Sequence, residues 1–326
     1  MNLNFTKMLF LMILIFSTFF SISSSNWFSM WMGLELNLFS IIPIFNFKSS
    51  IYSIESTMKY FLIQAFTSII LLIFLINKSM FFFWNNNILI ILPLLMKMSL
   101  MPFHLWLPSM IEGLNWFSCL LMFTWQKITP MIMISYLNFN KILILMFTLL
   151  LINSIYGFNQ NSLRKILAMS SINNSSWMMM ALLMNEKLWI NYFLIYLILN
   201  SMIIFIFNQY NMNYINQLKF FNMNYFFKLN MLMLIFSIMG LPPMLGFLMK
   251  WMLIKNLMLN NLILIMIILM MMSIFNLFLY LKMTYFILFN FNISNKWFYQ
   301  NKNYFKKNIF MFINFCSILI NYIIIY

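Results

Sequence analysis

Four ionisable side chains interrupt apolar runs. They are Glu35 in MWMGLELNLFSIIPIF (30–45), Lys97 in PLLMKMSLMPFHLWLP (93–108), Lys127 in TWQKITP (124–130) and Lys250 in GLPPMLGFLMKW (240–251). The chain has only four acidic residues, all Glu, so a carboxylate at position 35 is a rare choice. At the rise of a helix, Glu35 lies roughly 12 Å past Trp27, Lys97 roughly 15 Å past Asn87, Lys127 roughly 18 Å past Asn115 and Lys250 roughly 15 Å before Asn260. All four therefore fall near the middle of a hydrocarbon layer about 30 Å thick. A lysine stem reaches only about 6 Å, enough for Lys7, Lys48, Lys78, Lys141, Lys187 and Lys255 to snorkel from helix ends, but not for the central three. A charge at that depth costs at least about 2.5–3.5 kcal/mol, so a functional reading is preferred to incidental placement.

The chemistry open to these groups is proton transfer. Desolvation favours neutral lysine and a nearby carboxylate restores the charged form, which makes a lysine beside a movable Glu a switchable proton site. Glu35 and Lys97 form the natural pair, and Lys127 and Lys250 read as relay points. The single histidine, His104, follows the proline at 102; it reads equally as a hand-over between half-channels or as a hydrogen-bonded imidazole near the interface. Glu55 and Lys59, four apart, read as an intrahelical pair in preference to a proton entry. Glu112 and Glu186 fall in breaks and read as solvated, and the flanks of Lys282 do not fix its depth.

The elements that must position these groups are transmembrane helices. Of 326 residues, 64% are hydrophobic, and the mean hydropathy is +0.91, far above a soluble domain. Lipid cannot satisfy open backbone groups, and the runs lack the alternation of barrel strands. Punctuation by Asn, Lys, Gly and Pro predicts an all-α polytopic membrane protein with eleven helices near 3–22, 27–46, 54–77, 86–101, 114–137, 141–157, 162–184, 187–208, 228–258, 261–289 and 306–325. The fourth and ninth, carrying Pro93, Pro102, Pro108 and Gly240-Leu-Pro-Pro243, should be broken. Each is the fourth of a five-helix set, so the arrangement reads as two inverted repeats, 1–138 and 139–290, followed by a loop and C-terminal helix at 291–326. The N-terminal Lys7, apolar run and serines 21–25 have the outline of a signal peptide, but a second full-length apolar segment follows at once.

Composition also excludes. The net charge of +15 is scattered over the breaks and not gathered into a face, which argues against nucleic acid. Cys119 and Cys316 are in no CxxC arrangement, so no disulfide framework, zinc or iron–sulfur site is indicated, and one histidine excludes haem held by paired His ligands. Nothing matches a nucleotide-phosphate loop. Val and Asp are absent, Arg occurs once and Met 36 times, a bias that suggests an animal mitochondrial genome. Counted by break, Lys48, Arg164, Lys165, Lys219, Lys228, Lys296, Lys302, Lys306 and Lys307 share the N-terminal side, against Lys78, Lys141, Lys187 and Lys255. The positive-inside rule then places the N-terminus in the matrix.

Gly33-Leu-Glu35-Leu-Asn37, Lys97 to Pro108, Thr124-Trp-Gln-Lys127-Ile-Thr-Pro130, Asn159-Gln-Asn-Ser-Leu-Arg164-Lys165-Ile-Leu-Ala168 and Gly240 to Trp251 resemble, in that order, the hallmarks of the mitochondrial NADH dehydrogenase subunit 2 family. These are antiporter-like membrane subunits of respiratory complex I. The resemblance covers nearly the whole chain and is weakest after about residue 290. It implies an inverted five-plus-five repeat in the mitochondrial inner membrane and proton-path residues at Glu35, Lys97, Lys127 and Lys250. FMN, the iron–sulfur clusters and ubiquinone would bind other subunits of the complex. Other membrane-arm core subunits, accessory subunits and lipids would be the partners. Many relatives carry an acidic residue after the proline equivalent to Pro108; Ser109 stands here, with Glu112 one turn further on.

The expected function is thus a proton-translocating part of the respiratory chain's NADH:ubiquinone oxidoreductase, coupled to electron transport on other chains. Two rivals are weighed: a free-standing cation/proton antiporter, which would work when reconstituted alone, and a scaffold whose charges only hold helices in register.

Overall fold

The structure is a computed structural model and describes residues 5–46, 50–80, 87–137, 157–220, 225–242 and 244–288. Among these the regular elements are helical, apart from one isolated bridge between Ser162 and Tyr214. The helices are α1 (Phe5–Ser23), α2 (Trp27–Phe45), α3 (Ile51–Met80), α4 (Asn87–Lys97), α5 (Trp106–Ile111), α6 (Trp116–Phe123), α7 (Trp125–Ser135), α8 (Leu163–Met184), α9 (Glu186–Gln209), α10 (Gln217–Phe220), α11 (Tyr225–Met239), α12 (Leu245–Leu259) and α13 (Ile263–Leu288), with a 3-10 turn at Gly157–Asn159. Six described segments are long and apolar enough to cross a membrane: Phe5–Ser23, Trp27–Phe45, Ile51–Lys78, Trp116–Ser135, Glu186–Gln209 and Ile263–Leu288. The helices expected at 141–157 and 306–325 fall almost wholly or wholly outside the described residues, as do the expected repeat boundary at 138/139 and the segment 291–326.

Backbone contacts group the chain into two units, Met1–Leu149 and Leu150–Tyr326. In the first, α1 packs on α2 and α2 on α3; α3 meets α4 and α5, and α7 meets α1, α4 and α6. In the second, α8 packs against α9, α12 and α13, while α11 contacts α9, α12 and α13.

The proline-rich segments break as expected. α4 stops at Lys97, and turns run to Trp106; α11 stops at Met239, and Gly240 takes φ +80 before α12 begins. A third interruption was not expected: the helix predicted over 114–137 is divided at Thr124 (φ −117, ψ −70). There the Thr124 hydroxyl donates to the Leu120 carbonyl at 2.7 Å, and the Lys127 amide bonds back only three residues, to Thr124, at 3.2 Å. Downstream, Pro130 cannot donate to the Gln126 carbonyl, so the ladder is weakened on both sides of Lys127.

α8 is enclosed along nearly its whole length, with Leu163 and then every residue from Ile166 to Leu182 buried. A helix buried all round needs its polar side chains satisfied. Ser170, Ser171, Ser175 and Ser176 each donate to the carbonyl three residues back at 2.6–2.8 Å, which leaves the asparagines to bond across helices.

Close packing depends on two glycines with no room for a side chain. A methyl at Gly246 would lie 1.8 Å from the Ser237 carbonyl oxygen of α11, and one at Gly113 would lie 2.2 Å from the Tyr52 carbonyl oxygen of α3. At Gly157 the obstacle is only the mobile end of Leu279, at 2.9 Å. Overpacking costs about 1–3 kcal/mol. Gly246→Ala and Gly113→Ala should therefore each lower the thermal stability and yield of the assembled protein, and Gly157→Ala should do so less. Melting curves with equal loss for all three would contradict backbone contact as the cause.

Candidate functional site

In the first unit, Gly33 lets α2 approach α1 so closely that a Cβ there would sit 2.7 Å from the Ser21 Cβ. Two residues on, Glu35 is half-buried. Its charge reaches both Lys97 and Tyr60, yet among the described residues it forms no direct ion pair with Lys97. The expected pair is thus close enough to interact and not in contact. The direct ion pair described is Glu55 with Lys59, at 2.6 Å and largely exposed, which fits the structural role expected for it and is worth at most about 1 kcal/mol.

Lys97 is buried and is the last residue of α4. The carbonyls of a helix C-terminus lack intrahelical partners and carry partial negative charge, which suits an ammonium group. Gln64 of α3 donates to the Lys97 carbonyl at 3.5 Å, and the Trp106 indole donates to Met96 at 3.2 Å. Beyond the break, His104 is buried and faces the Pro102 carbonyl, while its Nδ1 has no partner within hydrogen-bonding geometry.

Lys127 is buried at 2% exposure in the first turn of α7, directly after the Thr124 interruption. Its neighbour Gln126 joins three helices: its amide donates to Asn37 of α2 at 2.7 Å, and its carbonyl oxygen accepts from Tyr60 of α3 at 3.2 Å. Tyr60 packs edge-on against Phe45, with ring centroids 5.2 Å apart. The sequence identified Asn37 and Gln126 only as motif letters and missed Tyr60; polar residues among apolar ones on α2 and α3 were the available signal.

The second unit contains Lys250, buried on α12. Its Nζ donates to the Met239 carbonyl at 2.9 Å, so it closes the C-terminus of α11 across the break. A side chain at Gly240 would meet that ammonium at 2.9 Å, and the positive φ is a conformation that favours glycine. Both broken helices thus bring a buried lysine to a helix C-terminus, Lys97 from within its own helix and Lys250 from the following one.

The second unit also holds a neutral polar network that the sequence reading did not pick out. Asn173 donates to Asn276 of α13, and Tyr192 of α9 donates to Asn174 at 3.2 Å. Tyr196 and Tyr280 are buried in the same interior. The signal was the run Ser170-Ser-Ile-Asn-Asn-Ser-Ser176. Lys282 lies at an end of the bundle, donating to Asn161 at 3.0 Å. Glu112 and Glu186 are exposed. No cluster of metal-binding side chains is present among the described residues.

A family described as the transmembrane part of NADH:quinone oxidoreductase and Mrp antiporters matches residues 24–276. NADH-ubiquinone oxidoreductase chain 2 of Aedes aegypti is 44% identical over 324 residues, covering 95% of this chain and 94% of the relative. That of Anopheles gambiae is 42% identical over the same length and coverage. Among solved structures, a chain of respiratory complex I from Thermus thermophilus superposes with a TM-score of 0.85 at 17% identity, covering 98% of this chain and 78% of that one. The chain belongs to the NADH:quinone oxidoreductase/Mrp antiporter membrane family, among its NADH-ubiquinone oxidoreductase chain 2 members.

Proposed function

We propose that this chain is a membrane-arm subunit of proton-pumping NADH:ubiquinone oxidoreductase, multi-pass in the mitochondrial inner membrane, and that it carries part of the proton path itself. Electron transfer takes place on other subunits, which hold the flavin, iron–sulfur clusters and ubiquinone. The architecture we propose is eleven crossings as two inverted five-helix repeats and a C-terminal helix, with the N-terminus in the matrix. The single observation that carries the proton-path reading is the pair of buried lysines at broken-helix ends, in a chain of this family.

Glu35 is the movable partner of Lys97: near enough to act through space, and held out of direct contact. A shift transmitted along the membrane arm that brings the two together favours the protonated amine, and separation favours release. From Lys97 the proton passes to Lys127, and Lys250 serves as the proton-binding station of the second unit. Water held by polar atoms without protein partners, such as His104 Nδ1 and Thr129 Oγ1, would link the stations of the first unit. Moving one charge against 100 mV costs about 2.3 kcal/mol. Leaving a buried charge without its partner costs about 3–5 kcal/mol; about half of that, at a half-buried Glu35, matches the cost of one proton.

Lys127→Met in the assembled complex should leave NADH oxidation by the peripheral arm intact and reduce proton output or coupled turnover at least several-fold; undiminished pumping at full assembly would sink the relay. Loss of assembly without a separate pumping defect for Lys97→Met or Lys250→Met would favour the scaffold. Reconstituting the isolated chain tests the other rival, with Na⁺ flux driven by a pH gradient favouring a free-standing antiporter.

The Glu35–Lys97 coupling has its own measurement. Pumping rates for Glu35→Gln, Lys97→Met and the double variant should be non-additive, the double no worse than the more damaged single variant. Additive losses would show that the two act separately.

A further inference from the structure

On the second unit a groove of 290 Å³ runs between α9 and α12, lined by Leu188, Asn191 and Tyr192 on one side and Leu248, Met252 and Leu253 on the other. Its lining is almost wholly apolar, and it merges with a membrane-facing strip of α9 where Leu194 is 52% exposed and Ile198 is 42% exposed. At that size, near the lower end of ligand clefts, it suits a single flexible hydrocarbon chain better than a ring system.

The ends of the groove differ. Asn260, which follows α12, donates to Met184 at the end of α8, and α9 starts two residues later at Glu186. The C-terminus of α12 therefore lies beside the N-terminus of α9, and the two helices run antiparallel along the groove. Lys187 precedes Asn191 by four residues and Lys255 follows Met252 by three, so each extends the lining stripe of its own helix by one turn toward the same end. Both lysines are exposed. Trp251, partly exposed, lies under the Lys255 ammonium, 5.6 Å from its ring centroid, aromatic placement that marks the headgroup level of a membrane. Glu186 adds one opposing charge there.

We propose that this groove is a binding site for an anionic phospholipid, one acyl chain lying between α9 and α12 and the phosphate held by Lys187 and Lys255. The charge at the mouth is what separates this occupant from ordinary boundary lipid: the hydrocarbon lining would accept any chain, whereas two ammonium groups at headgroup height select an anionic head. The occupant bears on the outer side of α12, whose inner side carries Lys250, so it would hold that helix against α9. The inference stands apart from the proton path.

The test uses the purified assembled complex and a phosphatidylglycerol carrying a photoactivatable diazirine near the end of one acyl chain, with labelled peptides mapped after irradiation. Labelling should concentrate in residues 188–195 and 248–253 and be competed by unlabelled phosphatidylglycerol but not by phosphatidylcholine with the same chains. It should fall about fivefold per lysine neutralised in Lys187→Gln and Lys255→Gln. Leu248→Trp, which fills the groove and keeps both lysines, should abolish labelling of these segments while other sites on the complex remain labelled. Equal competition by phosphatidylcholine, indifference to the lysines, or persistent labelling in the Trp variant would overturn the proposal.

Discussion

An ammonium group enclosed by hydrocarbon is stable only where peptide dipoles or a carboxylate face it, and a helix that stops inside the bilayer supplies such dipoles. At the second break this is explicit: Lys250 donates to the last carbonyl of α11, through the space that the missing Gly240 side chain leaves open. At the first, Lys97 is itself the terminal residue of the interrupted helix. At the second break the interruption and the lysine work together: a continuous helix would consume its carbonyls internally, and here the ammonium meets the Met239 carbonyl. At the first, neutral donors meet the last carbonyls, Gln64 at Lys97 and the Trp106 indole at Met96.

The two units solve the remaining polar problem differently. In the first, a carboxylate stands near a lysine without touching it, and Gln126 ties α2, α3 and α7 together beside Lys127. In the second, the described interior relies on neutral groups: the Asn173–Asn276 contact, the Tyr192–Asn174 bond, and serines that satisfy themselves within α8. Amide and hydroxyl networks hold helices in register where hydrocarbon supplies little preference of its own. They also leave Lys250 as the buried charge among the described residues of α8, α11 and α12.

Much of this was legible in the sequence because two constraints are nearly one-dimensional. Hydrocarbon thickness fixes helix length, so depth follows from counting residues, and proline and glycine mark the interruptions. That is how Glu35, Lys97, Lys127 and Lys250 emerge before any coordinates. The Thr124 interruption was not legible because no proline or glycine stands at it and the hydroxyl bond that replaces a helical one is a local alternative many threonines decline. The Asn173–Asn276 contact joins residues 103 apart, and no spacing rule reaches that far. The separation of Glu35 and Lys97 was likewise beyond reach: depth along the membrane normal is set by counting, whereas lateral distance is set by packing among α2, α3 and α4.

The choice of lysine at the buried positions has a physical consequence of its own. The one arginine, Arg164, is at the start of α8, where it donates to Asn213 at 2.8 Å; none of the deeply buried cations is arginine. Codon composition thins arginine throughout such a chain, but what each side chain can do where it stands is a separate matter. Guanidinium keeps its proton at any physiological pH and spreads its donors in a fixed fork, which would lock a helix end permanently. Lysine offers a single point charge on a flexible stem and can surrender the proton when its surroundings change. For Lys250, losing that proton weakens the bond to Met239 from charge-assisted to neutral, so the α11–α12 junction is held more loosely in one protonation state than in the other. On the proposed proton path, occupancy at Lys250 and the geometry of the break would then be coupled in both directions, as any two-state linkage requires.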